Sequence, residues 1–120
     1  MKWEINTDLV EQWLLSLDQD TYLQVRAALG ILESDGPRLG RPLVDTIRGS
    51  RYQNLKELRP GSSGRSEIRI LFVFDPTRRA IMLVAGDKAG RWERWYREAI
   101  PQAERLIDNH LGQLKEGGGN

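Results

Sequence analysis

The sequence predicts a small α+β domain of order β-α-α-β-β-β-α, in which a helical hairpin packs on a small, mainly antiparallel sheet. Three observations carry that expectation. In residues 67–75 (EIRILFVFD) every second side chain from Ile68 is apolar while the intervening ones begin with Glu67 and Arg69, which marks a strand with two distinct faces. Behind the turn Asp75-Pro76-Thr77-Arg78-Arg79, residues 80–87 (AIMLVAGD) form its antiparallel partner. Apolar residues at helical spacing on either side of this central region mark helices whose stripes need a sheet to cover them.

The first strand is short: Trp3 and Ile5 alternate with Lys2 and Glu4. Asp8 followed by Glu11 resembles a helix N-terminal cap, and Leu9, Val10, Trp13, Leu14 and Leu17 then recur at helical spacing. A second amphipathic run begins near Asp20, carries Tyr22, Val25, Leu29 and Leu32 on one stripe, and stops at Gly36-Pro37. Residues 36–53 hold three glycines, two prolines and four arginines with little periodicity, and read as a long basic loop.

The run NLKELR reads as extended, and PGSSGRS after it as a hairpin connection. With residues 67–75 and 80–87 it completes a three-strand meander. Ile68, Ile70, Phe72 and Phe74 point one way; Glu67, Arg69, Leu71 and Val73 point the other. Helical spacing returns at Trp92, Trp95, Tyr96, Ala99 and Ile100. Pro101 lacks a backbone donor, so a separate closing helix is expected to begin there and run through Ala103, Leu106, Ile107 and Leu111. Residues 1–112 are therefore expected to form one domain, and residues 113–120, ending KEGGGN, a disordered tail.

Composition narrows the chemistry. The 120 residues contain no cysteine, which removes disulfides, thiolate metal sites and cysteine nucleophiles, and a single histidine, His110, argues against a histidine-based metal site. No metal and no cofactor are expected. There is no apolar run near the ~18 residues that cross a bilayer and no signal-peptide pattern, so the expected location is cytoplasmic, away from membranes. The net charge of +1 hides a cancellation. Residues 1–37 carry two basic and seven acidic side chains, residues 38–97 fourteen and six, and residues 98–120 two and four. A basic middle between acidic ends suits a phosphate-rich partner.

Within that middle, Glu57 and Arg59 share a strand face, with Lys56 on the reverse side, and Arg69 lies on the next strand beside Glu67. Two adjacent strands thus bring carboxylates and guanidiniums onto one patch, either as surface pairs or as a site. Leu71 and Val73 on the same face require cover from the C-terminal segment, a partner or a stacked base. Lys88 ends the last strand next to glycine, where a side chain can reach a ligand. Arg91, Trp92, Arg94, Trp95, Tyr96 and Arg97 interleave aromatics with arginines, as single-stranded nucleic-acid surfaces do. Helical spacing assigns at least one tryptophan to the core and leaves Tyr96 freer to act. His110 reads as structural. GSSG has neither the length nor the setting of a phosphate loop.

The element order, the segment LKELRPGSSGRSEIRILFVFD and the strand LVAGDK together resemble the RelE/ParE superfamily of toxins from toxin–antitoxin modules, and most closely its HigB-like, phage-derived branch. The resemblance covers most of residues 1–112. It implies a RelE-like fold and a metal-independent endoribonuclease that cuts messenger RNA on the ribosome and is neutralised by a cognate antitoxin, a helix-turn-helix protein. By that resemblance Arg69 clamps the phosphate, Lys88 matches the lysine after the last strand, and Glu57 is either a base or an orienting group. Tyr96 and Lys88 are then candidates for the acid, and Lys56, Arg59, Arg65, Arg91 and Arg94 for RNA contacts. The histidines and Lys-Lys-Thr stretch of many relatives are replaced here by Gly86-Asp87-Lys88-Ala89-Gly90. That departure keeps open a ParE-like gyrase inhibitor or a non-catalytic binding module of the same fold.

Overall fold

A computed structural model of the chain describes residues 2–61 and 66–118, with side chains through Lys115. Its elements are β1 (Glu4–Asn6), α1 (Glu11–Leu15), α2 (Gln19–Asp35), β2 (Val44–Thr46), β3 (Lys56–Leu58), β4 (Ile68–Phe74), β5 (Arg79–Asp87) and α3 (Trp92–Gly118). The five strands form one sheet in the order β1-β5-β4-β3-β2; β1 runs parallel to β5, and every other pair is antiparallel. The α+β class, the helical hairpin and the meander β3-β4-β5 follow the sequence pattern.

Strand β4 sorts its side chains to two cores. Ile68, Ile70 and Phe72 enter a cluster with Val25, Leu29 and Leu32 of α2, all with 3% exposure or less. Leu71 and Val73 enter a second cluster with Trp95, Ala99, Ala103 and Ile107 of α3. The C-terminal helix is therefore what covers the second face of the sheet. A register shift between Leu71 and Phe72 pairs them with Val84 and Met82, leaving Leu83 as an extra β5 residue. That bulge turns both Leu83 and Val84 towards α3, while Met82 stays with Phe72.

Four details depart from the sequence pattern. The basic loop of residues 36–53 contains strand β2, whose Val44, Asp45 and Thr46 pair with Leu58, Glu57 and Lys56. Val44 is 2% exposed in the first core, so burial of one side chain and pairing with β3 organise a segment too short to show a period. Pro101 lies inside one continuous α3, not at the start of a second helix. A mid-helix proline costs about 3 kcal/mol, and continuity is upheld because Trp95 and Ala99 before it and Ala103 and Ile107 after it pack on the same sheet face. The helix also runs through Gly118, past the end at residue 112 expected from the pattern, while residues 119 and 120 lie outside the described residues. Asp8 sits in a 3-10 turn before α1 and does not cap it; its own N–H donates to Asn6 Oδ1 at 2.9 Å.

Helix α2 starts where Asp18 accepts hydrogen bonds from the Thr21 N–H and hydroxyl, and ends at Gly36. Gly36 has φ +58, and a Cβ there would stand 2.5 Å from the Trp3 ring, so glycine is required on both counts. Trp3 in turn packs edge-on against Phe74, closing the end of the first core. No helix among the described residues is long and apolar enough to cross a membrane.

Candidate functional site

The site begins with the register of β3 on β4. Glu57 pairs with Leu71, so Glu57 and Arg59 fall on the α3 side of the sheet, the side that also carries Arg69. At its first turns α3 comes down closely on β5: a Cβ on Gly86 would lie 2.5 Å from Trp95 Nε1. Trp95 is thereby buried as a core residue, and its neighbour Tyr96 reaches across to β3. Between β2, β3 and this end of α3 lies a cleft of about 420 Å³, lined by Arg48, Arg59, Lys88, Trp92 and Tyr96, with Glu57 at its base and Asp45 on one wall.

Glu57 is the hub. It is 1% exposed, and its carboxylate takes three partners. Arg59 Nε donates to Oε1 at 2.7 Å, the Tyr96 hydroxyl donates to Oε2, and Arg69 Nε stands 3.7 Å from Oε1. The last distance is an ion pair without a hydrogen bond, and the buried Arg69 Nε has no hydrogen-bond partner among the described residues. Arg69 is held instead by Nη1 donating to Ile68 O at 2.8 Å. Arg59 also pairs with Asp45 at 3.3 Å, and Asp45 with Arg41 at 3.2 Å.

Each ionisation follows from these contacts. Burial, and then the hydrogen bond to Glu57, push the Tyr96 hydroxyl well above the ordinary tyrosine range, so it stays a phenol and a donor at neutral pH. The hydrogen bond to Glu57 raises the Arg59 guanidinium further above its ordinary value. The Thr46 N–H, with Arg41 and Arg59 beside it, holds Asp45 below the usual carboxylate range. Two guanidiniums and a phenol thus converge on a buried carboxylate at the bottom of an open cleft.

Of the residues singled out from the sequence, Glu57, Arg59, Arg69 and Tyr96 come together here. Lys88 follows β5 and lines the cleft, its Nζ 5.6 Å from the Tyr96 ring centre and 3.6 Å from Glu67. Lys56 lies on the opposite side of β3, donating to Thr46 Oγ1 at 3.2 Å. Arg91 and Arg94 lie at the outer face of the start of α3, against Glu98, and line a separate shallow groove. Arg65 lies outside the described residues. Sequence reasoning missed Asp45 and Arg48 individually; their only signal was their place in the basic loop of residues 36–53. His110 is bonded to Asp75 at 3.0 Å, away from the cleft. Among the described residues no three His, Asp or Glu side chains converge as a metal site would require.

Comparison with known proteins gives a consistent result. The model of the phage-derived Gp49-like protein family matches residues 12–108. The Mycobacterium tuberculosis protein named "Putative toxin HigB2" is 56% identical over 114 residues, covering 95% of this chain and 57% of that relative's length. "Putative toxin HigB3" of the same organism is 48% identical over 109 residues, covering 91% of this chain and 93% of the relative. The chain thus spans a little over half of the first relative and nearly all of the second. A match over most of the chain, joined to identities of this size, is what common descent with a shared fold produces, and the chain belongs to the phage-derived Gp49-like family, in its HigB-like branch.

Proposed function

We propose that this protein is the toxin of a toxin–antitoxin system and acts as a ribosome-dependent, metal-independent messenger-RNA endoribonuclease. The observation that carries the reading is the convergence of Arg59, Arg69 and Tyr96 on buried Glu57 at the base of a cleft that Lys88 borders. In the reaction, a ribose 2′-oxygen bonds to the adjacent phosphorus and the bond from phosphorus to the 5′-oxygen breaks. The 2′-hydroxyl proton passes to water in the open cleft, and the departing 5′-oxygen takes a proton from the Lys88 ammonium, which regains it from solvent. Negative charge grows on the phosphate oxygens, and fixed cationic donors in a partly dry site stabilise it.

The roles divide by exposure and protonation. Arg59, which lines the cleft, and the exposed edge of the Arg69 guanidinium beside it supply donors to the phosphate, while the buried Arg69 Nε faces Glu57. Tyr96, held as a phenol, donates a hydrogen bond rather than removing a proton. Glu57 is too deeply buried to meet a ribose hydroxyl, so it orients the two arginines and Tyr96. Exposed Trp92 at the rim, 57% exposed, offers a face on which a base can stack. Arg91 and Arg94 extend the cationic track outside the cleft. The partners in this reading are the ribosome with its messenger RNA and a cognate antitoxin of helix-turn-helix type.

The test is Arg69→Ala in a translation-coupled cleavage assay. The variant should keep its circular-dichroism spectrum and lose about 10²–10³ in cleavage rate, the usual effect of deleting a donor to developing charge. A well-folded Arg69→Ala protein with full activity overturns the assignment. The bonding of the lone histidine to Asp75, which leaves the cleft without an imidazole, favours a second reading as a ParE-like gyrase inhibitor or a binding module. A supercoiling assay run in parallel separates them, since inhibition of gyrase without cleavage selects that alternative.

A further inference from the structure

A second polar network lies outside the cleft and fastens the segment after β2 to α3. Ser50 Oγ and the Arg51 N–H both donate to Glu104 at 2.8 Å. The Arg51 guanidinium pairs with Asp108 and, at 3.7 Å, with Glu104; the Tyr52 hydroxyl donates to Asp108. Glu104 and Asp108 are one helical turn apart, so α3 presents both carboxylates to the same short segment. Each exposed pair contributes little by itself, and what several of them together achieve is a fixed conformation for backbone that has no strand ladder of its own.

That conformation places Arg48. Between it and the latch stands Gly49 at φ +85, a backbone geometry that turns the chain back towards α3. Arg48 lines the cleft, is exposed, and has no hydrogen-bond or ion-pair partner among the described residues. The other cations at the cleft are all committed: Arg59 to Glu57 and Asp45, Arg69 to Glu57, Lys88 to Glu67. Arg48 therefore brings the uncompensated positive charge to this wall. An exposed arginine without a partner among the described residues, on a segment pinned by five polar contacts, is prepared to meet an anion at little ordering cost.

We propose that Arg48 is the cleft's anion-docking residue, set in place by the network from Ser50 to Asp108, and that it holds a phosphate of the RNA chain flanking the one that reacts. The proposal rests on the RNA-cleaving reading above and adds a division of labour to it. Arg48 contributes to ground-state binding, whereas Arg59 and Arg69 act where charge develops.

The experiment is single-turnover cleavage on ribosomes programmed with a messenger RNA, titrated to saturation. Arg48→Ala should raise the half-saturating ribosome concentration about tenfold and leave the plateau rate within about twofold, the pattern of lost uniform binding. Arg48→Lys should recover most of it. The double variant Glu104→Gln, Asp108→Asn should shift saturation in the same direction, and adding Arg48→Ala to it should produce much less than the sum of the two effects. An Arg48→Ala protein with a wild-type saturation curve, in an assay where the wild type cleaves, overturns the docking role and leaves the nuclease reading intact. Full additivity overturns the positioning role of the network. A wild type that cleaves nothing overturns the nuclease reading itself.

Discussion

The two faces of the sheet are built from the same strands and do opposite work. On the α2 side, Ile70, Phe72, Leu58 and Val25 are fully buried, and among the described residues the cluster around them holds no buried charged side chain. On the α3 side, the apolar packing of Leu71 and Val73 gives way across the ladder to Glu57, which pairs with Leu71, and two residues along β4 and β3 to Arg69 and Arg59. The apolar face needs only shape and area to be stable. The other face holds a carboxylate that is costly to bury and is retained because two hydrogen-bond donors and a second guanidinium answer it. Purely apolar packing and charge pairing are thereby separated across the thickness of one sheet, and α3 is what makes the second face partly dry.

That separation can be broken from either side. Phe72→Ala removes a fully buried ring from the α2 face and should cost about 3–5 kcal/mol, read by urea denaturation, while the folded fraction keeps its cleavage activity per molecule. A large loss of specific activity in the folded fraction would show that the faces are coupled. Glu57→Gln preserves shape on the α3 side but removes the charge facing Arg59 and Arg69. The expected cost is about 1–3 kcal/mol, smaller than for Phe72, together with a fall of tenfold or more in cleavage at unchanged half-saturation. A stable and fully active Glu57→Gln protein would show that the carboxylate neither holds nor orients the arginines.

The same contrast explains what was legible in the sequence. Period-two alternation in β4 showed both faces at once, and the Glu57, Arg59 and Arg69 patch followed from strand geometry alone. Pattern could not reveal β2, because three residues define no period and its existence depends on burial of Val44 and pairing with distant β3. Asp45 and Arg48 were missed with it. Pro101 misled for a related reason: a local breaker is overridden when residues on both sides of it pack on one continuous surface. The burial of Trp95 depends on Gly86, whose missing Cβ admits its indole, a dependence between distant residues that pattern does not show, while Trp92 stays exposed at the rim.

The smallest expected effect tests a point common to both faces, the turn that joins β4 to β5. Asp75 is buried there; its Oδ1 accepts from the Thr77 hydroxyl and the N–H groups of Thr77 and Arg79, while Oδ2 meets His110 of α3 at 3.0 Å. Burial by itself would raise its pKa, but the hydrogen bonds from Thr77, His110 and Arg79 outweigh it and hold the carboxyl down at about 2, against an ordinary 3.8. A depressed carboxylate binds its proton less readily folded than unfolded. Its contribution is therefore present above about pH 3.8 and is lost as the pH falls towards 2, and it amounts to about 2 kcal/mol. Asp75→Asn keeps an acceptor for the turn and removes the titration. The gap in urea stability between wild type and variant should stand at pH 5 and shrink steadily below pH 3.8, whereas an equal gap at pH 5 and pH 2.5 would mean that Asp75 joins strand and helix by shape and hydrogen bonding alone.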